Sequence, residues 1–202
     1  MSNDSNDKTL SSYEDHVQEY IAGTPQDVAG DVKEWLDKAI SYVANNGKIL
    51  ELGSAFGRDA IYLENLGYQV QRTDATKAFV ELLQKQGYNA KVLNAITDDF
   101  GVGYNMVFAN AVLLHFTPEE TAKVLSKVYA SLNENGILAF TVKQGDGEKW
   151  TEDKLNAPRY FCYWQADDLE KAVKDAGFEI ISLSEGSTKN ADWLQVIARK
   201  AA

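Results

Sequence analysis

Residues 48–74 carry the side chains best suited to small-ligand chemistry: an acid at Glu51, glycines at Gly53 and Gly57, and a second acid at Asp74. A carboxylate suits a ribose diol, because each oxygen can accept a hydroxyl hydrogen. A charge-assisted bond of that kind contributes roughly 1.5 to 3 kcal/mol. The glycines allow a ligand to approach the backbone closely. The same spacing argues against two common phosphate sites. The dinucleotide fingerprint needs a small residue at its sixth position, where this chain has Arg58, and the phosphate-cradling loop with its lysine followed by Ser or Thr is absent.

These residues need a strand, a turn, a helix and a second strand to position them. Residues 49–52 form a short apolar run with one acid inside it, as in a buried parallel strand. Residues 53–57 are the turn. From Arg58 the apolar residues fall at Ala60, Ile61, Leu63 and Leu66, a helical stripe stopped by Gly67. Residues 68–73 then read as a second strand that ends on Asp74. This is one half of a nucleotide-binding α/β fold. Its acid-lined turn suits a ribonucleoside without phosphates, carrying a sulfonium cation and an amino-acid tail, better than a dinucleotide.

The stretch resembles motif I and the following acidic strand end of class I S-adenosylmethionine (SAM) dependent methyltransferases, in particular the small bacterial type-11 and type-25 kind. Their turn is usually Glu/Asp-x-Gly-x-Gly-x-Gly, and Ala55 stands here at the middle glycine. The resemblance implies a seven-stranded Rossmann-like methyltransferase fold, a mostly parallel sheet with an antiparallel last strand. It implies SAM as cofactor, S-adenosylhomocysteine as product, and a cofactor site built from Tyr20, Glu51, Gly53, Ser54, Ala55, Gly57, Arg58, Asp74, Ala75, Asn94, Ala95, Asn110 and Ala111. Asn94 falls where the family places an acid or amide against the adenine, and the next backbone amide, at Ala95, faces the ring. Asn110 and Ala111 fall where it walls the sulfonium and methionine. Asn94 reads equally well as a strand-end turn residue, and the apolar residues after Asn110 as core.

His115, just past the fourth strand, is the candidate general base, because imidazole titrates near working pH. A structural role is the competing reading. Lys143-Gln-Gly-Asp-Gly-Glu148 and Arg159-Tyr160-Phe-Cys-Tyr163 resemble an acceptor-side pattern in a subset of the family. There Tyr13, Lys143, Glu148, Arg159, Tyr160 and Tyr163 would grip an anionic or hydrogen-bonding acceptor, unless Glu148 simply pairs with Lys143 or Arg159 to hold the loop. Several chemistries are argued against. Nucleobase amino methylation uses Asn/Asp-Pro-Pro-aromatic after strand four, and cytosine-ring methylation uses Pro-Cys; this chain has neither, and Cys162 follows Phe161. The run 111–114 lacks the carboxylates of metal-dependent catechol-type enzymes, and two histidines with one cysteine are too few for a zinc site of usual spacing.

The chain of 202 residues suits one α/β domain, with residues 1–46 as an amino-terminal helical cap and 47–202 as the SAM-binding domain. A formal net charge of -10 disfavours nucleic acid and anionic membrane as partners. The lone cysteine allows no internal disulfide, and the polar start lacks an apolar signal core. The expectation is a cytoplasmic protein, monomer or homodimer, acting on a small molecule.

Residues 1–10 read as frayed and 12–20 as a short helix presenting Tyr13 and Tyr20. A helix capped by Thr24, with Pro25 in its first turn, runs to about Val43. Further helices are predicted over 76–86, 117–132 (opened by the Thr117-Pro118-Glu119-Glu120 capping box) and 165–176, and further strands over 90–93, 104–109 and 136–142. Residues 133–136 read as an exit turn, and 143–163 show no clean period. The chain closes with strands over 178–183 and 193–198 joined by a Glu-Gly-Ser turn. The rival readings are a nicotinamide oxidoreductase and a SAM-fold protein that binds without turnover.

Overall fold

A computed structural model describes residues 4–188 and 191–201. In it the predicted opening unit is present as β1 (Lys48–Leu52), α4 (Arg58–Asn65) and β2 (Gln69–Asp74). They are preceded by α1 (Asp4–Asp15), α2 (Val17–Ala22) and α3 (Gly30–Ile40). After them come α5 (Lys77–Lys85), β3 (Ala90–Val92), β4 (Tyr104–Ala109), a 3-10 turn (Leu113–His115), α6 (Pro118–Ser131), β5 (Leu132–Lys143), β6 (Glu148–Thr151), β7 (Arg159–Cys162), α7 (Ala166–Asp175), β8 (Phe178–Thr188) and β9 (Ala191–Lys200).

Seven strands form one sheet in the order β3-β2-β1-β4-β5-β9-β8. The pairs joining β3, β2, β1, β4 and β5 are parallel, and β9 runs antiparallel to both its neighbours. This is the expected Rossmann-like sheet with its reversed last strand. The order of parallel strands reverses between β1 and β4. Open α/β sheets bind ligands beyond the carboxyl ends of the strands at such a point.

Alternation along the central strands builds two cores. Leu50, Val107, Leu138 and Phe140 share one face with Val124, Leu125 and Val128 of α6. Ile49, Met106, Phe108 and Ala139 share the other with Trp35, Leu36, Ala39 and Ile40 of α3. Because both faces are covered, the strands read as nearly continuous apolar runs. α6 opens with the predicted capping box: the Glu120 amide donates to Thr117 Oγ1 at 3.2 Å, and the Thr117 amide donates to Glu120 Oε2 at 2.8 Å.

Five local expectations are corrected. Residues 4–10 are helical, since α1 begins at Asp4; the rest of the stretch expected to fray, residues 1–3, lies outside the described residues. The helix expected over 12–20 is two helices that meet at His16, whose backbone leaves the helical region (φ -129, ψ 36). Thr24 does not cap α3. Its hydroxyl donates to the Tyr20 carbonyl at 2.5 Å and closes α2, while α3 starts only at Gly30, which takes a left-handed φ of 55°. The stretch without a period contains the β6–β7 hairpin, whose alternation covers four residues per strand, too few for a pattern. Finally, Glu185, Gly186 and Ser187 lie inside β8, which pairs with β9 out to Thr188 opposite Ala191. The exit turn over 133–136 does exist, but as an irregularity within β5: Tyr104 pairs with Leu132 while Met106 pairs with Ile137. No helix among the described residues is long and apolar enough to cross a membrane.

Candidate functional site

Above the carboxyl ends of β1, β2 and β4 lie two cavities that share a waist. The first is walled by Asp74, Ala75, Asn94, Ala95 and His115, and by Tyr13 and Tyr20 from the amino-terminal helices. The second is walled by Ser54, Arg58, Asp59, Thr141, Lys154, Trp193 and Gln195. Tyr20, Gly53, Ala55, Asn110 and Ala111 face both.

The waist is built from backbone that ordinary side chains resist. Gly53 has φ 73°, and a Cβ there would overlap Val112 Cγ2, so the close approach of the β1 turn to the β4 tip requires glycine. Ala55 and Ala111 adopt left-handed φ values of 46° and 58° despite carrying a methyl group. Such strain in non-glycine residues concentrates at functional sites. At Ala55 its use is visible: the amide is aimed at Asp74 and donates to Oδ2 at 2.8 Å. Thr76 donates its amide to Oδ1 at 2.8 Å. Each carboxylate oxygen thus has one backbone donor and retains acceptor capacity on the cavity side. Asp74 is only 7% exposed, and burial pushes its carboxyl up to about 6 against the pull of the two amides.

Glu51 lies beneath the turn rather than on a cavity wall. Ser54 donates its hydroxyl to Glu51 Oε2 and its amide to the Thr73 carbonyl at 2.8 Å, and Thr73 Oγ1 donates to the Glu51 carbonyl at 2.5 Å. These bonds stitch the turn to the end of β2. Burial first, and then the charge of Asp59, push the Glu51 carboxyl up to about 8. Gly57 also lies off the walls and supplies the left-handed residue before α4. On the β4 side a relay fixes the tips of three elements. Arg58 Nε donates to Asp59 Oδ1 at 2.6 Å, Asn110 Nδ2 donates to Asp59 Oδ2 at 2.8 Å, and Thr141 Oγ1 donates to Asn110 Oδ1 at 2.9 Å. The Ala111 amide completes it by donating to Thr141 Oγ1 at 2.8 Å.

Asn94 is already engaged: its Oδ1 accepts the Ile96 amide at 3.0 Å and its Nδ2 donates to Asn6 Oδ1 at 2.7 Å. α1 is tied to the opposite rim too, since Ser12 Oγ donates to the Pro158 carbonyl at 2.6 Å and the Tyr160 amide donates to Thr9 Oγ1 at 3.1 Å. Asn6, Thr9, Leu10, Phe79, Phe116 and Val112 also line the first cavity. Asn6, Thr9 and Leu10 lie in the stretch expected to fray, and Phe79 in a predicted helix whose apolar residues pointed to core; Val112 follows the Asn110-Ala111 pair expected to wall the methionine.

His115 sits in a hydrogen-bonded chain. Its Nδ1 is 2.6 Å from the Tyr160 carbonyl, which can only accept, so Nδ1 carries the hydrogen. In the neutral ring Nε2 then accepts the Tyr13 hydroxyl hydrogen across 2.9 Å, and the Tyr13 oxygen accepts from Arg159 Nη1 at 3.2 Å. Burial, reinforced by the charges of Arg159 and Lys143, holds the imidazole down to about 3. Burial raises Tyr13, with Arg159 opposing it. Of the acceptor-side candidates, Lys143 and Arg159 meet at the Phe161 ring, 4.2 Å and 5.1 Å from its centroid. Tyr160 is buried behind α1. Glu148 and Tyr163 face a separate surface groove beside Gly145 and Trp164. Glu148 forms no ion pair with Lys143 or Arg159; the Arg159 guanidinium instead donates to the Asp153 carbonyl and to Tyr13. Among the described residues, no group of His, Cys, Asp and Glu is arranged to hold a metal ion.

Residues 24–183 match the methyltransferase domain family. Among curated proteins, the carboxy-S-adenosyl-L-methionine synthase of Psychrobacter sp. is 26% identical, over 68% of this chain and 56% of that one. This chain spans about half the length of the curated relatives it matches. Among solved structures, the CcbJ methyltransferase of Streptomyces caelestis is similar with a TM-score of 0.73 at 16% identity, covering 95% of this chain and 98% of that one. The 1,6-didemethyltoxoflavin-N1-methyltransferase of Burkholderia thailandensis, solved with 1,6-didemethyltoxoflavin and S-adenosylhomocysteine, gives 0.68 at 18% identity, covering 84% of this chain and 78% of that one. At these identities the structural likeness is one of fold. The family match rests on the larger part of the sequence, and with the sheet order and the acid-ended β2 it makes this chain a member of the class I SAM-dependent methyltransferases.

Proposed function

We propose that the protein transfers a methyl group from SAM to a small-molecule acceptor by direct displacement and without a metal ion. The observation that carries this reading is the Asp74 carboxylate at the wall of the first cavity, held by two backbone amides with acceptor capacity to spare for a ribose diol. Gly53 and Ala55 line both cavities at the waist, so the backbone there is open to a cofactor lying across it. Bound SAM supplies an electrophilic methyl group on a sulfonium. Asp74 would hold its ribose, with Asn94 and Ala95 beside the adenine, while Asn110 and Ala111 would face the sulfonium. The second cavity would take the amino-acid tail beside Arg58 and Asp59.

The protein's contribution is chiefly alignment and exclusion of water, which together can supply roughly 7 to 11 kcal/mol toward the barrier. Held at Asp74 and the Gly53–Ala55 turn, SAM would supply its methyl group to the acceptor's lone pair while its sulfur kept the bonding electrons, giving S-adenosylhomocysteine. A proton on the attacking atom passes to solvent or is lost before binding. His115 does not suit the role of base, because its free nitrogen already accepts from Tyr13 and its imidazole is held neutral far below working pH. It is a positioning residue for Tyr13. The Burkholderia thailandensis relative, whose ligand is a small heterocycle, supports a small-molecule acceptor.

The test is a melting experiment with SAM, S-adenosylhomocysteine and NAD, followed by a metabolite screen scored by S-adenosylhomocysteine formation. Selective protection by SAM and S-adenosylhomocysteine, with acceptor-dependent turnover, is expected. Protection by NAD alone would return the assignment to an oxidoreductase, and binding of SAM without turnover on any acceptor would leave a binding protein.

A further inference from the structure

Arg159 is 6% exposed, yet it has no carboxylate partner. Among the described residues no Asp or Glu oxygen lies within 4.0 Å of Arg159, Lys143 or Lys154, in a chain with 30 acidic residues. The Arg159 guanidinium spends two donors on the Tyr13 hydroxyl and the Asp153 carbonyl, and its Nε is buried with no acceptor. Lys143, from the end of β5, reaches the Phe161 ring that Arg159 also faces. Lys154 lies 4.0 Å from the Tyr20 ring centroid, lines the second cavity and donates to Thr24 Oγ1 at 2.6 Å. Tyr13 and Tyr20 stand edge to face 5.5 Å apart, so Arg159 and Lys154 flank the aromatic pair that borders the two cavities, and Lys143 stands behind Arg159 on Phe161.

Burying an unpaired cation is costly, and gathering further cations near it compounds the repulsion. Burial first, and then the charge of Arg159, lower Lys143 against the pull of Asp153, and burial first, then Arg159 and Arg58, bring Lys154 down to about 8. A purely structural role for Arg159, pinning the loop before β7 to α1, accounts for its two hydrogen bonds. It does not account for the bare Nε or for Lys143 on the same ring.

We infer that the acceptor is an anion, a carboxylate or phosphate ester, drawn to the Tyr13–Tyr20 pair by Arg159, Lys143 and Lys154. This rests on the methyl-transfer reading above and names its substrate class. An anion there satisfies the guanidinium and relieves the repulsion among the cations, and it stands beside a cationic sulfonium rather than a neutral donor.

Matched pairs of small aromatic probes test the inference: benzoate against benzamide, and phenyl phosphate against phenol. Binding is followed by calorimetry to the S-adenosylhomocysteine-loaded protein and, in parallel, to the unloaded protein. Each anion is expected to bind at least about tenfold tighter than its neutral counterpart. Lys143→Met should erode that preference severalfold while leaving S-adenosylhomocysteine affinity unchanged. The carboxylate and phosphate arms distinguish the two anion classes. Equal affinity within both pairs, or no binding by any probe at millimolar concentration, overturns the inference. Loss of S-adenosylhomocysteine affinity in the Lys143 variant also overturns it, by assigning that cation to the cofactor's own carboxylate. Failure of S-adenosylhomocysteine to bind, with the anion preference intact in the unloaded protein, refutes the methyl-donor reading and leaves the anion site standing.

Discussion

Replacing Asp74 with Asn should move cofactor affinity and apoprotein stability by separate amounts that the structure lets us work out. The side chain keeps its shape and its place between the Ala55 and Thr76 amides, but one oxygen becomes an amino group facing a backbone donor. Losing one or both charge-assisted bonds to a ribose diol, at roughly 1.5 to 3 kcal/mol each, predicts at least a tenfold weaker S-adenosylhomocysteine complex, since about 1.4 kcal/mol is one decade. Stability follows a different rule. Folding raises this carboxyl to about 6, so burial of the ionised form costs stability that is absent below its unfolded pKa and fully present above about 6. The variant carries no such charge. Its stability relative to wild type should therefore rise between about pH 4 and pH 7, by at most about 3 kcal/mol. A constant offset of about 1 to 3 kcal/mol against the variant comes from the backbone amide left without an acceptor. Calorimetric titration of S-adenosylhomocysteine and urea melts at the two pH values read both quantities. Unchanged affinity would show that Asp74 does not hold the ribose. A stability difference independent of pH would show that its burial is not what raises it.

Gly53→Ala should destabilise by about 2 to 5 kcal/mol, from a left-handed alanine and overlap with Val112. Adding Val112→Ala should restore only the packing share in denaturant melts. Ala55→Gly should stabilise by up to about 1 kcal/mol, because relief of the left-handed methyl exceeds the added chain entropy; a loss would mean the methyl packs usefully at the waist. His115 contributes with the opposite sign to Asp74: its folded value lies near 3, so stability is complete above its unfolded pKa and falls as pH drops below it. His115→Gln should flatten the acid limb of the stability curve between about pH 6.5 and 3. In the wild type, kcat should show no imidazole inflection near neutrality. Tyr13→Phe should lower kcat with little change in cofactor affinity, separating positioning from binding.

The cofactor half of the cavity was legible because its logic is local. Strand, turn, helix and acid occupy 27 consecutive residues, 48–74, and each position is constrained by backbone geometry that residue types reveal. Gly53 must be glycine because Val112 is close, and the acid at the strand end needs only β2 to carry it to the rim. Glu51, expected in the cofactor site, is carried by the pleat under the turn, where Ser54 takes it. The remaining walls were only partly legible because their logic is long-range. Asn6 meets Asn94 and Thr9 meets Tyr160 across more than eighty residues of chain, contacts that no periodicity encodes. Lys154 and Arg159 lie in or beside the hairpin, where four-residue strands leave no pattern, and Thr24 was read as opening a helix when it closes the one before. The division has a physical reason. Backbone geometry fixes the local motif, whereas the rest of the cavity walls draw single residues from α1, β5 and the loop between β6 and β7, whose meeting depends on tertiary packing. Arg159 shows the consequence: in sequence it is one arginine among twenty basic residues, and only the fold reveals that it is buried, stacked on Tyr13 and without an acid.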